Sequence, residues 1–437
     1  MVRTGFASQI ITPEREFPLA GYFNKRPNRG FLDDLFVKVL LVEKEGVMGG
    51  FVVYDLCGSS PEFFDALRGA AKAAGITFAD NLMVSCTHTH TGPEIRRNID
   101  EQKQEYIDRV ILKTVAALKE AAANLRESSF EVASVNSNPY AYVRRFWMKN
   151  GKVVTNPGKC NPDIVEPDGD YDRTITAVAV KQEGRIAAIL VNLANHGDTI
   201  GGNLVSADWY GRFVQAVQHE LKTSLPVLVL DDASGNINHF DFHQQINQTG
   251  YHEAVRVGRG DARIVLDALQ DLKPVAADKL QIKNTTVTIP HRQLSDAEVA
   301  EAQHILDTVP DIKKDGDFES QDLANKVPAA LRYFAQRALD CKAKSVPSHE
   351  CRLTAIEIGD ELAFVSLPGE PFNGIAEAIR KASPYNYTLI AELAQSPSGY
   401  VPMKECFARG GYEVQPGIDT VAPEAAEAII EASIRNL

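Results

Sequence analysis

The stretch Cys86-Thr87-His88-Thr89-His90-Thr91-Gly92-Pro93 follows the apolar run Leu82-Met83-Val84 and closes on Gly92-Pro93. An apolar run leading into a Gly-Pro break reads as a short buried strand that opens into a loop. Along a strand, side chains two residues apart share a face, so His88 and His90 are expected on one side and the threonines on the other. On a helix they would diverge by about 200°. Two imidazoles on one face of a strand end suit a metal ligand beside a proton-handling neighbour. A polar strand end with two surface histidines fits the same spacing, because His-x-His is a short motif.

Outward from this stretch, apolar runs of strand length keep ending in short, polar elbows. The runs at 36–42 and 51–55 flank Lys44-Glu45-Gly46 and read as a hairpin that stops at Asp55-Leu56-Cys57-Gly58. Strands are expected near 130–135, 174–180 and 186–193, the last breaking at Asn195-His196-Gly197-Asp198. A strand at 227–230 runs into Asp231-Asp232-Ala233-Ser234-Gly235. A hairpin of 352–358 with 362–367 stops at Pro368-Gly369-Glu370-Pro371. A strand at 388–393 heads towards Gly399-Tyr400-Val401. Helices are expected from Pro61 to Ala74 behind a Ser60 cap, and over 104–125, 208–222, 251–269, 328–344 and 423–434. A strand over 280–289 precedes Ser295-Asp296-Ala297-Glu298, a capping box opening a helix to 309, and 311–322 reads as an exposed charged loop or an irregular helix entry. The pattern is that of an α/β chain, with mixed central sheets flanked by helices and no repeat or linker to divide it. Ligands in open α/β sheets bind at the carboxyl ends of strands. Elbows carrying His88, His196 and Glu370 can therefore converge on one site.

With 437 residues, the chain is long enough for one large domain or two fused ones. Hydrophobic content of 44% and charged content of 24% are those of an ordinary globular protein. A net charge of −12 argues against a nucleic-acid partner, which needs clustered Lys and Arg. No apolar run reaches the ~20 residues that span a bilayer. The start, Met1-Val2-Arg3-Thr4-Gly5, has no apolar signal core, so a cytoplasmic protein or one written without its leader is expected. The 6 cysteines include no Cys-x-x-Cys; unpaired thiols are expected, with Cys341 and Cys351 the pair able to bridge under oxidising conditions.

Taken together, several separated motifs resemble the neutral, non-lysosomal ceramidases, a family of zinc amidohydrolases. The resemblance rests on Ile11-Thr12-Pro13 and Leu19-Ala20-Gly21-Tyr22, on THTHTGP at 87–93, and on Asn195-His196-Gly197 with Ser206-Ala207-Asp208. It continues in Leu367-Pro368-Gly369-Glu370 and in Gly399-Tyr400-Val401 followed by Tyr412-Glu413. It spans almost the whole of residues 1–437 but only the family's N-terminal catalytic domain, with no counterpart to its C-terminal β-sandwich. The resemblance implies Zn²⁺ held by His88, His196, Glu370 and Tyr400, with zinc-bound water attacking an N-acyl substrate. It also implies catalytic roles for His90, Arg144 and Tyr412. Arg144 and Arg145 are adjacent, so only one is expected to face the site.

The sequence departs from the family at two places. Asn238 stands where the family carries a serine, and Ser234 lies off the matching position, so a serine nucleophile is not expected. Asn238 and His239 are instead candidate substrate contacts. Glu94 replaces a glycine after the THTH motif and is followed by Arg96 and Arg97, which should favour a polar or charged substrate over an apolar sphingoid chain. The expected activity is zinc-dependent hydrolysis of an amide, whether ceramide-like as in sphingolipid metabolism or more polar. Another amide, an ester or a lactone is the alternative, and a metal-structured binding protein without catalysis is the non-enzymatic one. A small-molecule N-acyl substrate is the expected partner, and a homo-oligomer is left open.

Overall fold

The computed structural model describes residues 1–437 apart from 313, 315–317, 319–321, 324–325, 345, 396–398 and 419–420. Much of the charged 311–322 segment therefore lies outside the described residues.

Three sheets carry the fold. The first runs Leu82–Cys86, Val47–Tyr54, Phe36–Lys44, Arg3–Ile10, Arg126–Glu127 in spatial order. The second runs Val227–Asp231, Arg185–Leu193, Thr174–Gln182, Ser129–Asn136, Lys273–Val275. The third runs Leu280–Pro290, Ser348–Ile358, Leu362–Ser366, Tyr387–Ala391. Each is antiparallel except at one margin, where a parallel pair sits: Val47–Tyr54 with Leu82–Cys86, Arg185–Leu193 with Val227–Asp231, and Leu362–Ser366 with Tyr387–Ala391. These six strands are nearly all apolar, as strands buried on both faces must be.

One face of every sheet meets the other two in a shared core. Leu40, Phe51 and Met83 of the first pack with Val132, Val178 and Leu190 of the second and Ile356, Phe364 and Leu389 of the third. Helices cover the outer faces. The first sheet is backed by α1 (Pro61–Ala73) and α2 (Glu101–Ala123), the second by Asp208–Glu220 and Tyr251–Ala268, and the third by Asn373–Ala382 and Ala425–Asn436. The expected mixed α/β architecture is the one observed.

Local chemistry explains the element ends. Glu45 and Gly46 both have positive φ, 52° and 86°, between Lys44 and Val47, which are paired across the ladder. That is the two-residue turn whose twist matches antiparallel strands. Ser60 caps α1 by accepting from the Phe63 amide, with Pro61 at the first helical position. Ser295 and Glu298 form the reciprocal capping box at the start of Asp296–Thr308. Elements that the apolar pattern did not announce include the strand Arg3–Ile10 and the small sheet of Arg145–Met148, Val153–Thr155 and Ile164–Pro167. Their polar residues and short runs break the apolar alternation that marks a strand. Cys57, Cys86, Cys160, Cys341 and Cys406 carry free thiols. Among the described residues no helix is long and apolar enough to cross a membrane.

Candidate metal centre

The carboxyl ends of the three parallel pairs open onto one cleft. His88 lies two residues beyond Leu82–Cys86, His196 three beyond Arg185–Leu193, and Glu370 four beyond Leu362–Ser366. Tyr400 comes from the chain beyond Tyr387–Ala391 and pairs with Glu370 across a short parallel ladder.

His88 is not on a strand. The strand stops at Cys86, and His88 has φ 68°, in the left-handed region. This conformation costs about 1–3 kcal/mol in a residue with a side chain and persists where the surroundings over-determine it. The expected division of side chains holds for a different reason from strand alternation. The Thr89 and Thr91 hydroxyls both donate to the Ser206 carbonyl, at 2.6 and 3.1 Å, while the two imidazoles turn to the opposite side. Gly21, at φ 91°, packs against the back of His90; a Cβ there would come within 2.5 Å of the His90 side chain.

The histidines and Glu370 meet at close range. His88 Nε2 lies 3.1 Å from His196 Nε2, 3.2 Å from His90 Nε2 and 3.4 Å from Glu370 Oε2. Glu370 Oε2 is 3.9 Å from His196 Nε2. His88 Nδ1 donates to the Cys57 carbonyl at 2.7 Å, so its Nε2 presents a lone pair to the cleft. Glu370 Oε2 is buried and has no hydrogen-bond partner, nor has His196 Nδ1. Lone pairs and an ionised oxygen crowded together without donors are costly unless a cation sits among them. Ligands about 2.0–2.2 Å from a tetrahedral zinc are about 3.3–3.6 Å apart, close to the spacings here. The His88, His196 and Glu370 set therefore fits a zinc ion. The alternative trio of Cys57, His88 and His90 fits less well, because His88 Nδ1 is engaged by the Cys57 carbonyl.

Charge in the cleft is strongly coupled. Burial disfavours charge on His88, but the Glu370 carboxylate and Cys57 outweigh it and hold the imidazole well above its ordinary value. Burial and the His88 charge push His90 down to about 3, and burial, His88 and Arg144 push His196 well below the usual range. Burial raises Glu370, yet His88, His196 and Arg144 overcome it and keep the carboxyl well below the carboxylate range. Burial and Glu370 raise the Tyr400 phenol against the pull of Arg144. A dication among the ligands inverts that balance for a coordinated phenol.

Both adjacent arginines converge on Glu413. Arg144 Nε donates to Glu413 Oε1 at 2.9 Å and Arg145 Nη1 to Oε2 at 2.7 Å. They then part: Arg145 turns to Asp168 and the Gly410 carbonyl, whereas Arg144 donates to the Gly235 carbonyl and lies 5.2 Å from the Tyr400 ring centroid. Arg144 is the one that faces the cleft. The Tyr412 and Tyr400 rings are edge to face at 5.7 Å, and burial with Glu370 keeps the Tyr412 phenol protonated.

Three sequence-derived candidates sit elsewhere than expected. Glu94 takes Arg96 in a clamp, accepting from its Nε at 3.2 Å and its Nη2 at 2.9 Å, so its charge is turned to Arg96. Asn238 is fully buried in Ile237–Asn238, donating to Asn156 Oδ1 at 2.9 Å; it does not line the cleft, because that short ladder draws it inward. His239 is buried, donates from Nε2 to the Gln248 carbonyl at 2.7 Å and holds Asp198 at 3.1 Å. Asp198, not His239, reaches the cleft wall. Ser234 donates its hydroxyl to Glu392 at 2.7 Å in the interior. Glu413 and Asp198 carried no sequence signal beyond adjacency to Tyr412 and Gly197, since their roles depend on arginines and a histidine far away in the chain.

No protein-family model matches the chain, and no curated protein matches it. Solved structures do. A structure described as a ceramidase complexed with C2 superposes with a TM-score of 0.72 at 14% identity, over 100% of this chain and 74% of that one. The neutral ceramidase from Pseudomonas aeruginosa superposes with a TM-score of 0.72 at 15% identity, over the same shares of the two chains. The sheets and the helices around them are thus those of the neutral ceramidase fold.

Proposed function

We propose that this protein is a zinc-dependent hydrolase of C–N amide bonds, with His88, His196, Glu370 and Tyr400 holding the metal. The observation that carries the reading is the buried Glu370 Oε2, without a hydrogen-bond donor, facing two imidazole Nε2 atoms at 3.4 and 3.9 Å. When bound, zinc polarises the substrate carbonyl and lowers the pKa of water towards neutrality.

The remaining work falls to the chain's own side chains. His90 Nε2, kept neutral by burial, accepts a proton from the attacking water and returns it to the leaving nitrogen. The water oxygen bonds to the acyl carbon, the C–N bond breaks, and the amine leaves with that proton. Arg144, fixed by Glu413 and the Gly235 carbonyl, and the protonated Tyr412 hydroxyl stabilise the negative oxygen that develops on the carbonyl. The cleft has two lobes that share Tyr22, Phe23, His90, Tyr400 and Tyr412, one of about 340 Å³ and one of about 540 Å³. They suit the two halves of an amide lying across the centre.

The test is metal analysis of the purified protein, followed by amine release from N-acyl substrates with and without a chelator. Stoichiometric zinc and chelator-sensitive release support the reading. Zinc without turnover of any amide favours a binding protein, and turnover confined to esters or lactones shifts the bond class.

A further inference from the structure

The smaller lobe is basic in a protein of net charge −12. Arg96, Arg97 and Arg337 line it, against the carboxylates of Glu62 and the metal-side Glu370. Among the described residues neither Arg97 nor Arg337 has a carboxylate within ion-pair reach; Arg337 donates only to the Gly417 carbonyl. Glu94 holds Arg96 through Nε and Nη2, which leaves Nη1 free.

The same lobe receives the N-terminal end of α1. Ser59, Ser60, Pro61 and Glu62 all line it. Arg96 lies across the loop entering that helix: a Cβ on Gly58, at φ 156°, would be 3.3 Å from Arg96 Cδ and 3.7 Å from Nη1. The positive end of the helix dipole and a guanidinium therefore coincide. A further observation points to a missing partner. Ser59 is 3% exposed, and its buried hydroxyl has no hydrogen bond. Phe23, Phe64 and Tyr333 add apolar and aromatic surface to the same lobe.

Resting on the hydrolase reading, we propose that this lobe binds the anionic group of the substrate, so that the protein acts on N-acyl amino acids or related N-acyl amines bearing a carboxylate, phosphate or sulfonate. Arg96 Nη1, the Ser59 hydroxyl and the α1 terminus receive the anion. At about 340 Å³ the lobe lies at the small end for a ligand site, which suits a compact head group better than a second long chain.

The zinc-loaded protein is assayed for amine release from N-octanoylglycine, N-octanoyl-O-phosphoethanolamine and the neutral N-octanoylethanolamine. Binding of all three is followed by calorimetry, in the native chain and in Arg96→Gln and Ser59→Ala. One or both anionic compounds are expected to exceed the neutral one by about ten- to a hundredfold in kcat/KM and in affinity. Whichever leads names the oxyacid. Arg96→Gln should collapse that ratio towards one, chiefly through KM, and Ser59→Ala should reduce it less. An equal or better neutral substrate, or a ratio unmoved in Arg96→Gln, overturns the proposal. Preferential binding of an anion that Arg96→Gln abolishes, with no amide cleaved, upholds the anion site and overturns the hydrolase reading instead.

Discussion

Glu370 and Tyr400 are register partners in a parallel ladder of two residues a side, Glu370–Pro371 against Tyr400–Val401. The Glu370 amide donates to the Gly399 carbonyl at 2.8 Å and the Phe372 amide to that of Val401 at 3.0 Å. Partners in a ladder present their side chains to the same face, so this bridge fixes a carboxylate and a phenol side by side. Glu370→Gln should abolish tight zinc binding, because the amide cannot offset the cation's charge. Tyr400→Phe should weaken it by about tenfold or more while the fold is retained. Competition with a chromophoric chelator separates the two, and unchanged affinity in Tyr400→Phe removes the phenol from the ligand set.

His88→Ala and His196→Ala are each expected to lose zinc and amide hydrolysis together, from about one equivalent of metal to almost none. His304, on the helix Asp296–Thr308 away from the cleft, supplies the control: His304→Ala should alter neither. Plasma mass spectrometry of the purified variants reads the result directly.

Glu413 is buried between Arg144 and Arg145, accepting from both and from the Thr155 hydroxyl. Removing its charge leaves two buried guanidiniums short of a partner, so Glu413→Gln should lower stability by about 3–5 kcal/mol in denaturant unfolding. Arg144→Lys keeps the charge but loses the fork that reaches Glu413 and Gly235 together. Zinc should remain, and kcat should fall by about a hundredfold or more.

Asp208 supplies a pH signature outside the metal centre. Burial lifts its carboxyl to about 6, against hydrogen bonds from Thr199 and the amides of Ile200 and Trp209. The native state thus holds this proton more tightly than the unfolded chain, where the value is about 3.9. The sign follows: stability from this group is greatest below pH 4, declines as pH rises towards 6, and levels off above. The total change is about 2–3 kcal/mol. Asp208→Asn is expected to be less stable throughout, because its amide faces the Ile200 N–H, but to lack that slope. The difference between the two unfolding curves against pH isolates the effect.

Which ends of which strands carry chemistry was legible in the sequence, because a buried strand must be apolar and its exit must turn. The runs before Cys57, His88, His196, Ser234 and Glu370 all end at the sheet margins they announced. Less of the site could be read off. The pairing of His88 with His90 came from a left-handed turn that no spacing rule encodes, and two of the three proposed substrate contacts, Asn238 and His239, were drawn into the interior by partners distant in the chain.

The sequence by itself determined the α/β composition, the helix caps and the histidines at strand exits, since these depend on residues within a few positions of each other. Only the tertiary structure decided that Arg144 rather than Arg145 faces the cleft, that Glu413 binds both, and that Arg96 lies over the start of α1. Those relations join residues tens to hundreds of positions apart. They exist because three sheets press their apolar faces into one core, and that packing sets how their strand ends stand to one another.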